Sequence, residues 1–157
     1  MKTALIYATS HGTTEKVANQ IKNGLRSDHV QVFSLRQNKK VDLSSFEQVV
    51  VGGSIHAGQI QGCVKTFCNK NMVELLQKRV ALFICGMNKS EFETELSNAF
   101  PELLRKHAVC SVVVGGEFLF GKMNFIEKLI VRKVSGVSQD VSKIDDSKVN
   151  ELISSLL

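Results

Sequence analysis

Short apolar runs alternate along the chain with stretches whose apolar residues recur at helical spacing. The runs are Ala4 to Tyr7, Val30 to Phe33, Val49 to Val51, Val80 to Cys85 and Val109 to Val114, all of strand length. Between them, Val17, Ile21 and Leu25 fall at i, i+4 and i+8, and Val64, Phe67, Cys68, Leu75 and Leu76 keep a second helical stripe. Phe92, Leu96, Ala99, Leu103 and Leu104 suggest a third, broken near Phe100 because Pro101 pushes its predecessor out of the helical region. Ser147 to Leu157 reads as a closing helix with Val149, Leu152, Ile153 and Leu156 inward. Strands buried on both faces and separated by helices predict right-handed crossovers and a doubly wound α/β fold. Its sheet should be parallel and five-stranded, in the order 2-1-3-4-5, with helices on both faces. The length of 157 residues suits one domain. In such folds a ligand lies beyond the carboxyl ends of the strands, so chemistry is expected in the loops after strands one, three, four and five.

After strand one, Ala8-Thr9-Ser10-His11-Gly12-Thr13-Thr14-Glu15 runs straight into the first helix. A helix N-terminus offers unpaired N–H groups and a partial positive charge, so a phosphate there gains charge-assisted hydrogen bonds of roughly 1.5 to 3 kcal/mol each. Thr9 to Thr14 holds neither carboxylate nor Lys or Arg, which suits a monoester held by dipoles better than a triphosphate held with a metal. The competing reading is that one of these hydroxyls simply caps the helix. After strand three, Gly52-Gly53-Ser54-Ile55-His56-Ala57-Gly58 allows close backbone approach to a flat ring. A phosphate-accepting receiver domain would need acidic residues after strand one and an Asp ending strand three, and neither is present. Gly116 to Met123 fits GxxxxGK, but Met123 stands where a triphosphate loop needs Ser or Thr, and Phe118, Leu119 and Phe120 fill the part that must curl around phosphate.

The loop Thr9-Ser10-His11-Gly12-Thr13-Thr14-Glu15 resembles the phosphate-binding loop of flavodoxins, with His11 where that pattern usually has another hydroxyl. Val49 to Gly58, Gly115-Gly116-Glu117 and Phe125-Ile126-Glu127-Lys128-Leu129-Ile130 narrow the likeness to menaquinone-dependent protoporphyrinogen IX oxidases, flavodoxin-like FMN enzymes of haem synthesis. The resemblance covers nearly the whole chain and includes an insert at about 117–136; the chain is short for that family between strands four and five. It implies FMN held by Thr9, Ser10, His11, Gly12, Thr13 and Thr14 at the phosphate. Ser54, Ile55, His56, Gly86, Met87, Asn88, Gly116, Glu117 and Phe118 would lie around the rest of the cofactor. With no Trp, and Tyr7 inside strand one, Ile55, His56, Met87 and Phe118 are left to flank the ring. His56 is the candidate catalytic proton shuttle, since an imidazole titrates near pH 6.5. The resemblance further implies a tetrapyrrole substrate and a quinone acceptor. A flavodoxin-like electron carrier docking on redox partners is the alternative, and a binding module that has lost its flavin is a third.

Twenty basic against fifteen acidic residues give a net charge of +5 and a pI near 9.1. The basic residues are scattered, so no nucleic-acid partner is expected. The four cysteines lack zinc spacing and read as buried thiols, and no other set of side chains suggests a metal. Met123, Ile126, Ile130 and Val134, joined by Phe125 and Leu129, form one stripe of a helix. Lys128 and Arg132 lie opposite it and Lys122 and Lys133 flank it, a pattern that suits an anionic membrane surface or the propionates of the substrate. The competing reading is an ordinary surface helix packed on the sheet. With neither a secretory h-region nor eighteen consecutive apolar residues, the expectation is a cytoplasmic protein, peripheral at most at the inner face of the membrane.

Overall fold

The computed structural model describes residues 1–26 and 28–157. In chain order the elements are β1 (Thr3–Tyr7), α1 (Thr13–Gly24), β2 (Val30–Ser34), β3 (Gln48–His56), β4 (Gln59–Ile60), α2 (Gly62–Lys70), α3 (Met72–Leu75) and β5 (Arg79–Cys85). Then follow α4 (Phe92–Ala99), α5 (Glu102–His107), β6 (Cys110–Val113), β7 (Glu117–Phe118), α6 (Phe125–Ser135), β8 (Val141–Ser142) and α7 (Asp146–Leu156). The main sheet runs β2-β1-β3-β5-β6, and every one of these pairings is parallel. This is the expected doubly wound order, with β4 added as a short antiparallel partner of β3.

Successive side chains of a strand point to opposite faces, and both faces are covered here. Ala4, Ile6, Val49, Val51, Leu82 and Ile84 face one way, onto Val64, Phe67, Leu75 and Leu104 of α2, α3 and α5. Leu5, Tyr7, Val50, Ala81 and Phe83 face the other way, onto Val17 and Ile21 of α1 and Leu152 and Ile153 of α7. At the amino ends of the strands, Thr3 Oγ1 donates to Gln48 Oε1 at 2.9 Å and Gln48 Nε2 donates to the Leu156 carbonyl at 2.8 Å, so buried polar groups tie α7 to the sheet. The third helical stripe breaks where Pro101 demands it: α4 ends at Ala99, Phe100 is extended at φ −127° and α5 starts at Glu102.

Three features differ from the sequence reading. β3 does not stop at Val51 but continues through both glycines to His56. A Cβ on Gly52 would sit inside the Phe83 ring, and one on Gly53 would lie 2.7 Å from the Ile60 side chain. The glycines therefore let core side chains close over a continuing strand rather than ending it. The chain then reverses through Ala57 (φ 49°) and Gly58 (φ 75°) into β4, with His56 opposite Gln59. Secondly, Glu117–Phe118 pairs antiparallel with Val141–Ser142, making a small ribbon too short to read as apolar runs. Thirdly, of the four cysteines, all free, only Cys68 and Cys85 are fully buried, while Cys63 and Cys110 are half-buried. Burial pushes the thiols of Cys68 and Cys85 up to about 12, so they stay protonated. Among the described residues no helix is long and apolar enough to cross a membrane.

The glycines give a paired test of this packing. Gly52→Ala should lower unfolding stability by about 1 to 3 kcal/mol through displacement of Phe83. Gly62→Ala meets no atom within 4 Å and lies in α2, so it should be neutral or stabilising by up to ~1 kcal/mol. Urea denaturation of both variants measures the contrast; equal effects would mean that Phe83 does not hold the Gly52 position.

Candidate functional site

The carboxyl ends of β1, β3 and β5 open onto a cavity of about 590 Å³, within the roughly 300 to 1,000 Å³ range of cofactor-sized sites. Thr9, Ser10, His11 and Thr13 line it from the loop after β1, Ser54, Ile55 and His56 from the end of β3, and Gly86 and Met87 from the loop after β5. Gly116, Glu117 and Phe118 complete the wall on the β7 side. Gly12, half-buried, and Thr14, fully buried, do not line the cavity. Asn88 is not brought to the cavity: its side chain accepts from Ser90 Oγ at 2.8 Å and its carbonyl from Glu91 N at 3.0 Å, closing its own turn.

The loop after β1 is built to leave α1 open. Thr9 Oγ1 accepts from Gly12 N at 2.9 Å, and Gly12 takes the left-handed conformation (φ 96°) that turns the chain into the helix. Among the described residues no side chain caps α1, so the hydroxyls are not consumed as caps and the first-turn N–H groups lack intrahelical partners. The Thr14 side chain is fully buried, with its hydroxyl facing the Cys85 thiol. Uncapped N–H groups beside a cavity fit the phosphate of a mononucleotide cofactor.

The charge at this loop is not what its own residues suggest. Lys122, expected on the substrate- or membrane-facing side, lies over the loop instead: its ammonium is 3.1 Å from where a Cβ of Gly12 would be. Arg36, just past β2, reaches Ser10 Oγ at 3.4 Å. Glu117 brings a carboxylate to the same place, with its side chain only 6% exposed and Lys16 Nζ 3.1 Å away. Burial alone would raise the Glu117 carboxyl, but Lys16 and hydrogen bonds from Ser142 and Thr13 hold it below the usual carboxylate value. A loop read as free of charge is therefore flanked by two cations and a neutralised carboxylate, all from distant segments.

A second group sits at the same mouth. His11 Nε2 is 2.9 Å from Glu127 Oε2, and the rings of His11 and His56 meet edge-on at 5.5 Å. Glu127 closes a capping box at the start of α6: Asn124 Oδ1 accepts from Glu127 N at 2.8 Å, and Asn124 N donates to Glu127 Oε1 at 3.3 Å. The helix cap and the His11 contact together lash the insert to the loop after β1. Gln61, which the sequence did not single out, donates to Ser54 Oγ and to Ser10 Oγ, and accepts from Ser54 N at 2.9 Å. Ser54 Oγ in turn lies 3.1 Å from His56 Nε2. Desolvation, with His11 and Arg36 nearby, holds His56 below its ordinary value against an opposing pull from Glu127.

The rest of the basic helix is placed differently. Lys128, Arg132 and Lys133 do not line the cavity, and Arg132 stacks over Phe120 at 5.8 Å from the ring centroid. Ile130 and Val131 reach the cavity, but Phe125, Ile126 and Val134 are 73%, 66% and 80% exposed. Every residue of α6 is exposed or half-buried, so the reading of an ordinary helix packed on the sheet is not what the structure holds.

The chain matches the flavodoxin domain family over residues 4–145 and belongs to that family. Its fold is similar to that of flavodoxin 1 from Bacillus cereus, with a TM-score of 0.57 at 13% identity over 98% of this chain and 93% of that one. It is similar also to rubredoxin oxygen:oxidoreductase from Desulfovibrio gigas, with a TM-score of 0.55 at 15% identity. That likeness covers 99% of this chain but 37% of the oxidoreductase, so the chain spans little more than a third of that enzyme's length. The flavodoxin of Fusobacterium nucleatum, solved with flavin mononucleotide bound, matches over 71% of this chain and 70% of that one, with a TM-score of 0.47 at 18% identity. No curated protein sequence matches the chain.

The buried carboxylate gives a pH test. Because the Glu117 carboxyl is held below its unfolded value of about 4.3, its stabilising contribution is fully present above that pH and disappears as pH falls through the lower folded value. Urea midpoints of the unsubstituted protein should therefore fall more steeply between about pH 5 and 2 than those of Glu117→Gln. Parallel curves would mean that Glu117 is not engaged by Lys16 and Thr13 in solution.

Proposed function

We propose that the chain is an FMN-dependent oxidoreductase that takes hydride equivalents from a bulky reduced tetrapyrrole, protoporphyrinogen IX, and passes them to a quinone. The observation that carries the reading is the open α1 N-terminus beneath Lys122, in a cavity where, among the described residues, Phe118 is the one phenyl side chain of the wall and an exposed amphipathic helix forms the rim. Family membership and the resemblance of the loops and insert support it.

Bound in the cavity, FMN would supply the hydride- and electron-accepting chemistry. The first-turn N–H groups of α1, with Thr9, Ser10, Thr13 and Lys122, would hold its phosphate. Ile55, Met87 and Phe118 would exclude water from the ring side while leaving one face open to a large substrate. His56, in contact with Ser54, would take and release a proton. The exposed stripe Phe125, Ile126 and Val134, with Lys128 and Lys133 on the same helix, would rest on an anionic membrane surface, where a quinone is dissolved. The same exposed stripe also supports a second reading, an electron carrier that docks on a protein partner.

Mass analysis of the flavin released from purified protein should give FMN, and Lys122→Ala should weaken its binding by about 10- to 100-fold, the loss of one charge-assisted hydrogen bond. Under anaerobic conditions the FMN-loaded protein with a menaquinone analogue should convert protoporphyrinogen to fluorescent porphyrin faster than either alone. Porphyrin formation no faster than the controls, together with rapid electron exchange with a flavodoxin reductase, would replace the oxidase by the electron carrier.

A further inference from the structure

We infer that His11, His56 and Glu127 form a binding site for a divalent metal ion of the zinc type at the mouth of the cavity. The inference gives His56 a role other than the proton transfer proposed above, since a nitrogen that holds an ion carries no proton, and its test uses no flavin. One ligating atom from each of the three residues lies within 4.8 Å of the others. They come from three separate segments, the loop after β1, the end of β3 and the first turn of α6, so their convergence is a product of the fold and not of neighbouring positions in the chain.

The geometry is close to what an ion needs. Zn–N and Zn–O bonds of about 2.0 to 2.2 Å in a tetrahedron put ligand atoms roughly 3.4 Å apart. His11 Nε2 and Glu127 Oε2 are 2.9 Å apart, so the ion would take the place of the proton they share and spread the pair by about half an ångström. His56 has to move further, and it can, being exposed at the tip of β3 beside a reversal. Outer partners already orient the set. Asn124 N holds Glu127 Oε1 and leaves Oε2 to His11, while Ser54 Oγ contacts the His56 ring at Nε2. With three protein ligands, a fourth position opens to the cavity and admits water.

The donor set and its surroundings select the kind of ion. Calcium and magnesium require mostly oxygen ligands, and this cluster offers one carboxylate. Arg36, held at Ser10 Oγ next to His11, puts positive charge beside the site, so an ion here has to be held by directed bonds from imidazole nitrogen more than by net negative charge. Two imidazoles and one carboxylate are the ligands of zinc and of its near neighbours cobalt and nickel.

The full-length protein, stripped with a chelator, is titrated with Zn²⁺ against a chromophoric competitor, and with Co²⁺ for its visible spectrum. One equivalent should bind, with the intense visible absorption of four-coordinate cobalt. His11→Ala, His56→Ala and Glu127→Gln should each weaken zinc by ~100-fold or more, since even outer-sphere losses cost 10- to 100-fold. Glu102→Gln, on the exposed pair with Lys106, should leave binding unchanged. His56 is exposed, so its replacement leaves the fold intact and reads the site even if His11→Ala does not fold. Failure to saturate at one equivalent, or unchanged zinc affinity in His56→Ala, overturns the site.

Discussion

Burial of β1, β3 and β5 on both faces confines everything polar that this protein does to the ends of its strands. A side chain in the middle of these strands meets α1 and α7 on one face or α2, α3 and α5 on the other. Where these strands run out, at Thr9, His56 and Gly86, polar side chains and backbone reach the cavity. Even there the core sets terms: Gly52 and Gly53 carry β3 past the point where Phe83 and Ile60 would otherwise block it, and this extension delivers Ser54 and His56 to the cavity. The reach of the site on that side is a packing result.

The insert between β7 and β8 is held to this framework by polar contacts and little apolar burial. Lys16 pairs with Glu117 and His11 with Glu127, while the Asp140 carboxylate closes the insert on itself by accepting from Phe120 N at 2.8 Å. The apolar residues of α6 mostly remain outside. The half-exposed His11–Glu127 contact contributes about 0 to 1 kcal/mol, whereas the Lys16–Glu117 pair has its carboxylate buried. The cavity thus has one side made by the packed sheet and one side held to it mainly by charged groups.

What could be read from the sequence was whatever depends on local periodicity. The central strands show as unbroken apolar runs because both faces are covered, and Pro101 marks the break between α4 and α5 without ambiguity. The open helix start showed as a crowd of hydroxyls with a glycine. The strand through Gly52 and Gly53 was invisible because glycine signals a turn unless one knows that Phe83 lies against it. The electrostatics were invisible for a different reason. Arg36, Lys122, Glu117 and Glu127 all come to the loop after β1 from far along the chain, and no spacing rule connects His11 with Glu127. Residues brought together by tertiary structure leave no periodic trace, and here they decide the charge of the site.

The insert leaves and rejoins the fold at nearly one point. Lys143 N donates to the Gly116 carbonyl at 2.8 Å, Asp145 N to the Val114 carbonyl at 2.8 Å, and Gly115 takes φ 72° where a Cβ would collide with the Lys143 carbonyl. Chain entering and chain leaving are therefore pinned side by side before any of the excursion is made. Loop closure entropy grows only with the logarithm of length, so the sheet is almost indifferent to how much chain is spliced in at this seam. Evolution can lengthen, shorten or exchange the rim of the cavity without renegotiating the core, which makes this junction the natural place for one scaffold to diverge into proteins of different partners.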